Sequence, residues 1–215
     1  MSKKLLVLAL PVLLLAGCNK STGQAESKAY KKVRAAVRAT LTNGIMNEGT
    51  FDVLEDDFVY NYETQEIGHN ITMFHFIKNG DLTWFREGDS GYQYVLDYST
   101  RTTYRKISSS WYTIDDDPST TAGAVQYSAT VNVMANELTD KQNGKLTESG
   151  NVVFYRYKHK TLGTVTYRLE YNEERTNFES MRRTVYVTSD QTQYKEFEIK
   201  NISYTGVIPE HNPEI

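Results

Sequence analysis

TVTYRLEYN, residues 164–172, places Val165, Tyr167, Leu169 and Tyr171 at every second position, with Thr166, Arg168 and Glu170 between them. Successive side chains of a strand point to opposite faces, so this stretch predicts a strand with one face buried and one wet. The same texture surrounds it. Strands are expected at 152–158, 181–188 and 194–202 in the last third of the chain. Earlier, period two governs residues 50–115, with strands expected at 51–62, 67–77, 82–86, 92–98, 102–107 and 111–114. Turn residues separate them: Asn79-Gly80-Asp81, Glu87-Gly88-Asp89 with Ser90-Gly91, and Ser108-Ser109-Ser110. Asn79-Gly80 is the best hairpin turn, because this pair tolerates the positive φ values a tight turn requires. Consecutive strands joined by short turns make an antiparallel meander.

Two stretches depart from this period. Over residues 27–42, Tyr30, Val33, Val37 and Leu41 share one helical face, while Lys31, Lys32, Arg34 and Arg38 lie largely off it as a solvated side. Asn43-Gly44 supplies a stop. The second helix follows Asp115-Asp116-Asp117-Pro118-Ser119, an acidic and proline-containing start. Ala124, Tyr127, Val131, Met134 and Leu138 then form an apolar stripe at 3.6 spacing. The same region permits a strand through Val125, Tyr127, Ala129, Val131 and Val133, but the length and the acidic start favour a helix. Residues 139–151 read as a polar loop and 206–215 as an irregular tail. The fold class expected is α+β, mostly β, in one domain over 29–215.

The chain has 215 residues and a formal charge of −3. A protein that binds nucleic acid needs a basic patch, so this balance argues against such a partner. Cys18 is the single cysteine, and no disulfide can form within the chain. Stability must come from the core, for which 16 Tyr, 8 Phe and 2 Trp are available. Aromatic residues favour strands.

Residues 3–18, KKLLVLALPVLLLAGC, have a charged start, an apolar run and small residues at the end. This is the pattern of a secretory signal, and it is too short to cross a bilayer as a helix. Its ending, Leu15-Ala16-Gly17-Cys18, resembles the lipobox of bacterial lipoproteins. The resemblance implies cleavage between Gly17 and Cys18 and a lipid on the Cys18 sulfur. Removal of 1–17 would take Lys3 and Lys4 with it and leave the acyl group as the membrane contact. Two acyl chains anchor stably where one is marginal. Residues 19–28, NKSTGQAESK, read as a tether that reaches about 30 Å when extended. A lipid-anchored monomer facing the extracytoplasmic side is expected, at the outer membrane if the cell has one.

The element order, from helix through meander and helical insertion to four further strands, resembles the LolA-like superfamily of lipoprotein carriers and related envelope lipoproteins. That resemblance implies a curved, incomplete antiparallel barrel with its helices packed on the concave face. It also implies an apolar or amphiphilic ligand, such as a lipid or a lipoprotein acyl chain, held between sheet and helices. No binding residue is carried over, because only Leu15, Ala16, Gly17 and Cys18 match a motif. Met73-Phe74-His75-Phe76-Ile77 and Phe154-Tyr155-Arg156-Tyr157 are apolar or aromatic on both parities, as in a strand buried on both sides.

Catalytic signatures are absent from the sequence: no Gly-x-Ser-x-Gly elbow, no phosphate-binding glycine loop, no Ser-x-x-Lys. His69, His75, His159 and His211 lack metal-ligand spacing, so neither a metal nor a cofactor is expected. Three consecutive aspartates at 115–117 fit a helix start better than a calcium loop. Glu55, Asp56 and Asp57 read as a solvated strand edge. The function expected is binding of an apolar or amphiphilic ligand rather than catalysis. The alternative is a surface-displayed module that engages protein or glycan without a ligand cavity.

Overall fold

The computed structural model describes residues 27–89, 91–140, 144–187 and 193–213. Leu15, Ala16, Gly17, Cys18 and the tether up to residue 26 lie outside the described residues.

The chain opens with α1 (Lys28–Val37), which runs on into a π-helical segment, Arg38–Ile45. Ser27 caps α1 by accepting the Tyr30 N–H at 3.2 Å. The expected stop falls at Gly44, which leaves helical geometry at φ −102° and ψ −112°. A Cβ there would lie 2.6 Å from the Ala39 carbonyl and 2.7 Å from the Tyr204 ring. The position therefore requires glycine for space.

Six strands follow: β1 (Glu48–Asn61), β2 (Glu66–Asn79), β3 (Leu82–Glu87), β4 (Gln93–Asp97), β5 (Thr102–Ile107) and β6 (Ser110–Ile114). Helix α2 (Ala122–Thr139) comes next. Then come β7 (Lys145–Ser149), β8 (Val152–His159), β9 (Gly163–Tyr171), β10 (Phe178–Tyr186) and β11 (Tyr194–Ser203). All eleven strands form one open, curved antiparallel sheet in the order β6-β5-β4-β3-β2-β1-β11-β10-β9-β8-β7. Two meanders thus meet along the pairing of β1 with β11, where Val53 faces Ile199 and Asp57 faces Lys195. The expected fold class is the one observed.

Both helices lie on the same face of the sheet. From the helices come Val33, Val37, Leu41, Ile45, Tyr127, Val131, Met134 and Leu138. They pack on Phe51, Phe76, Phe85, Leu96, Tyr155, Tyr167, Leu169, Met181 and Ile199 from the strands. Burial of each large apolar side chain stabilises by about 2 kcal/mol, so this face dominates the stability. Phe51, Phe76 and Tyr127 stack on one another, with centroids 4.5 to 5.2 Å apart.

The opposite face carries a second, smaller cluster. Trp84, Val95 and Trp111 are buried there against Ile77, Leu82, Tyr104 and Ile208. Ile208 belongs to the tail after β11. Asn79 Nδ2 donates to the Gly206 carbonyl at 2.9 Å, and Pro213 pairs with Trp111. The tail is irregular as expected, but it is a strap across β3–β6.

Four local expectations are corrected. Helix α2 begins at Ala122, because Pro118, Ser119 and Thr120 close a turn on Asp117 instead. The polar loop at 139–151 contains β7, whose residues are mostly exposed because it is a sheet edge. Strand β8 is buried on one face only, and Phe154 is 40% exposed. Burial on both sides occurs instead at Trp84-Phe85 and Val95-Leu96, beneath the strap. Glu55, Asp56 and Asp57 sit on β1, a central strand flanked by β2 and β11, and Asp56 is buried.

Candidate functional site

Strand parity carries Phe74, Phe76 and Lys78 to the helix-covered face of β2, in register with Val53, Phe51 and Gly49 of β1. Phe74 and Phe76 join the core, while Lys78 stands at the end of the strand, where the sheet opens beside α2. A cavity of about 290 Å³ lies there. Met46, Tyr127 and Val131 supply apolar wall, and Lys78, Tyr98 and Asn132 supply polar groups. Helix α2 contributes Tyr127, Ser128, Val131 and Asn132, which are adjacent on one side of the helix.

The polar groups of this cavity are perturbed by burial. Removal from water lowers the pKa of the Lys78 ammonium, and the nearby Asp81 only partly opposes this. Lys78 Nζ donates to the Gly80 carbonyl at 3.1 Å and to Thr83 Oγ1 at 3.4 Å, and sits 5.6 Å from the centre of the Tyr98 ring. Burial raises the Tyr98 phenol, and the charge of Asp117 adds to the effect. Burial also pushes the Tyr127 phenol far up. Its hydroxyl is buried without a hydrogen-bond partner among the described residues. A buried hydroxyl left unpaired costs about 1–3 kcal/mol.

The middle of the helix-covered face is closed. Glu137 of α2 receives a two-pronged bond from Arg183 of β10, with Nε to Oε2 at 2.9 Å and Nη2 to Oε1 at 2.8 Å. Tyr167 of β9 donates to the same carboxylate. Burial alone would raise the Glu137 carboxyl, but these bonds outweigh it and hold it below the usual carboxylate range. Arg183 is driven the other way, above its ordinary value, by Glu137 and Tyr167 against the opposing effect of burial. Past this clamp, a polar hollow of about 200 Å³ is lined by Glu55, Asp57, Thr130, Arg183, Lys195 and Glu196. Its ion pairs suit a solvated rim.

The remaining candidates are structural. His69 and His75 are held on the outer face by Asp56 at 2.7 Å and Asp52 at 2.6 Å. His159 Nδ1 accepts N–H groups of Thr161 and Leu162 in a turn. His211 belongs to the strap and packs against Tyr104 and Trp111 of the sheet. Among the described residues no three His, Cys, Asp or Glu side chains are grouped to hold a metal ion. Asp117 is held at about 2 by bonds from Ser119 and Arg101. The displaced carboxyls, Asp97, Asp117 and Glu137, all move downward, as hydrogen-bond acceptors do.

Lys78, Tyr98 and Tyr127 were not singled out as a site by the sequence. Lys78 stands there directly before the Asn79-Gly80-Asp81 turn. The available signal was its parity with Phe74 and Phe76, which aims a cation at the apolar side of a strand. Arg183 carries the same signal between Met181 and Val185.

No family model matches the chain, and no curated protein matches it. Among solved structures, it is similar to the crystal structure of a LolA superfamily protein from Nitrosomonas europaea. Identity is 6% and the TM-score 0.33, with 86% of this chain and 96% of that chain covered. No residue role is carried across at this similarity.

Proposed function

We propose that this protein is a non-enzymatic binding protein that takes a small amphiphile at the mouth of its sheet. The polar end of the ligand meets Lys78 and Tyr98, and its apolar part lies along Met46, Tyr127 and Val131. The observation that carries this reading is the half-buried Lys78 ammonium set in a cavity whose wall includes Met46, Tyr127 and Val131. Ligand sites combine apolar walls with a few placed polar groups in this way. At about 290 Å³ the cavity falls near the bottom of the usual range for small-molecule sites. A single chain end or a short fatty acid fits that volume, and a whole diacyl lipid does not. The domain is anchored through Cys18 after cleavage behind Gly17, so that it faces the extracytoplasmic side of a membrane.

Native mass spectrometry of the gently purified protein tests the cavity. The expected spectrum shows an adduct of fatty-acid mass. Val131→Trp, which fills the space, removes the adduct, and Lys78→Met weakens it. A bare protein that also fails to bind added laurate saturably would overturn the reading. For the anchor, labelled palmitate should enter the wild-type chain and be absent from Cys18→Ser. Label that persists in the variant would disprove lipidation at that sulfur.

A further inference from the structure

Strands β1 and β2 outrun their neighbours. Pairing of β1 with β11 ends at Asp57, and pairing of β2 with β3 begins at Phe74. Residues 58–61 and 66–72 therefore project as a two-stranded ribbon. Its registers, Phe58 with His69 and Tyr60 with Ile67, are those of the outer face. The outer face of the ribbon and the turn at its tip concentrate exposed apolar side chains: Tyr62 is 85% exposed and Ile71 63%, with Ile67 at 40% and Tyr60 at 39%, while Val59 stands on the opposite face. Exposed apolar groups clustered this way mark an interaction surface.

The edge of β2 is also open. After Gly88 N–H donates to the Met73 carbonyl, residues 67–72 have no strand beside them on that side among the described residues. An unpaired edge with alternating side chains is a template for another strand.

Charge selects the occupant. No Lys or Arg stands between Arg38 and Lys78, whereas Glu48, Asp52, Glu55, Asp56, Asp57, Glu63 and Glu66 do. Lys195 offsets Asp57 at 3.2 Å, and Asp56 and Asp52 are hydrogen-bonded to His69 and His75. Glu63 and Glu66 at the ribbon tip have no ion pair among the described residues. An anionic bilayer surface is repelled by such a tip. So is the same ribbon of a second copy, since its charge has the same sign.

We propose that the β1–β2 ribbon is a docking arm for an extended, basic and apolar segment of a partner protein. The segment adds as a strand along residues 67–72 of β2. Its apolar residues cover Ile67 and Ile71, and its cations meet Glu63 and Glu66.

The test uses the full chain in zwitterionic detergent and a fluorescent synthetic peptide that alternates lysine with valine. Anisotropy should show saturable binding that weakens as salt is added. Hydrogen exchange should slow at the amides of residues 67–72 when the peptide is present. Ile71→Lys is expected to weaken binding about tenfold, the scale of a central interface residue. The exposed double change Glu63→Lys with Glu66→Lys should do the same without touching the core, which covers the case in which Ile71→Lys fails to fold. Equal binding of a peptide that alternates glutamate with valine would overturn the proposal. So would protection that appears elsewhere. Ile71-dependent dimerisation of the free protein, or Tyr62-dependent binding to phosphatidylglycerol vesicles, would replace it with a different occupant.

Discussion

Glu137 and Arg183 face each other with side chains only 13% and 12% exposed, and each holds the other's charge in place. Removal of one partner leaves the other charge buried without compensation. Glu137→Gln is expected to destabilise by about 3 kcal/mol, read from urea melts. Exchange of both, Glu137→Leu with Arg183→Met, should cost less, since no bare charge remains. The pH dependence follows from the direction of the shift. The folded-state pKa of Glu137 lies below its unfolded value, so its contribution is present above that unfolded value and fades as pH falls through the folded one. The gap between wild type and Glu137→Gln should therefore shrink in acid. Lys78 gives the matching prediction at alkaline pH. Its folded pKa is below the ordinary 10.5, so its positive charge is lost earlier than that of an exposed lysine. Laurate affinity measured by calorimetry should fall as pH rises through that lowered value, and Lys78→Met should flatten the profile.

Helix α2 is the element on which the core closes. Val131, Met134 and Leu138 are almost wholly removed from solvent. Leu138→Ala is expected to cost about 3 kcal/mol by the cavity it leaves, measured by chemical denaturation. The stripe that carries these residues was legible, because Tyr127, Val131, Met134 and Leu138 keep helical spacing. So were most strands, because Val165 to Tyr171 and their counterparts alternate between a packed and a wet face. Strand β7 was hidden. An edge strand with one face in solvent and little core beneath it needs few apolar residues, and KLTES has one. The double burial of β3 and β4 was hidden for another reason. It comes from a strap far away in sequence, and nothing local in Trp84-Phe85 announces that cover. The cavity was illegible because its lining comes from Met46 just after the π-helical segment, from two hairpins and from α2 together.

At the scale of the whole molecule, the strap is the simplest thing to remove. Truncation after Val207 takes away Ile208, His211 and Pro213 and uncovers Trp84 and Trp111. A loss of about 2 kcal/mol is expected, which for a chain of this size lowers Tm by roughly 5 °C. Tryptophan emission should shift to the red, and an unshifted spectrum would show that the two indoles are covered by something else. The seam between the two meanders has a consequence for how the molecule assembles. Every other strand pair joins close neighbours in sequence, but β1 meets β11 across the whole domain. Asp52 and Asn201, bonded beside that seam, are 149 positions apart. Closing so long a loop costs about 4 kcal/mol of chain entropy, so local hairpins form first and the seam last. Until β11 arrives, β1 is a bare rim on a half-made sheet, open to any other unfinished chain. Glu55, Asp56 and Asp57 lie along that rim. Carboxylates there repel a second copy during the interval, which gives the run of acids inside a central strand a protective role in folding.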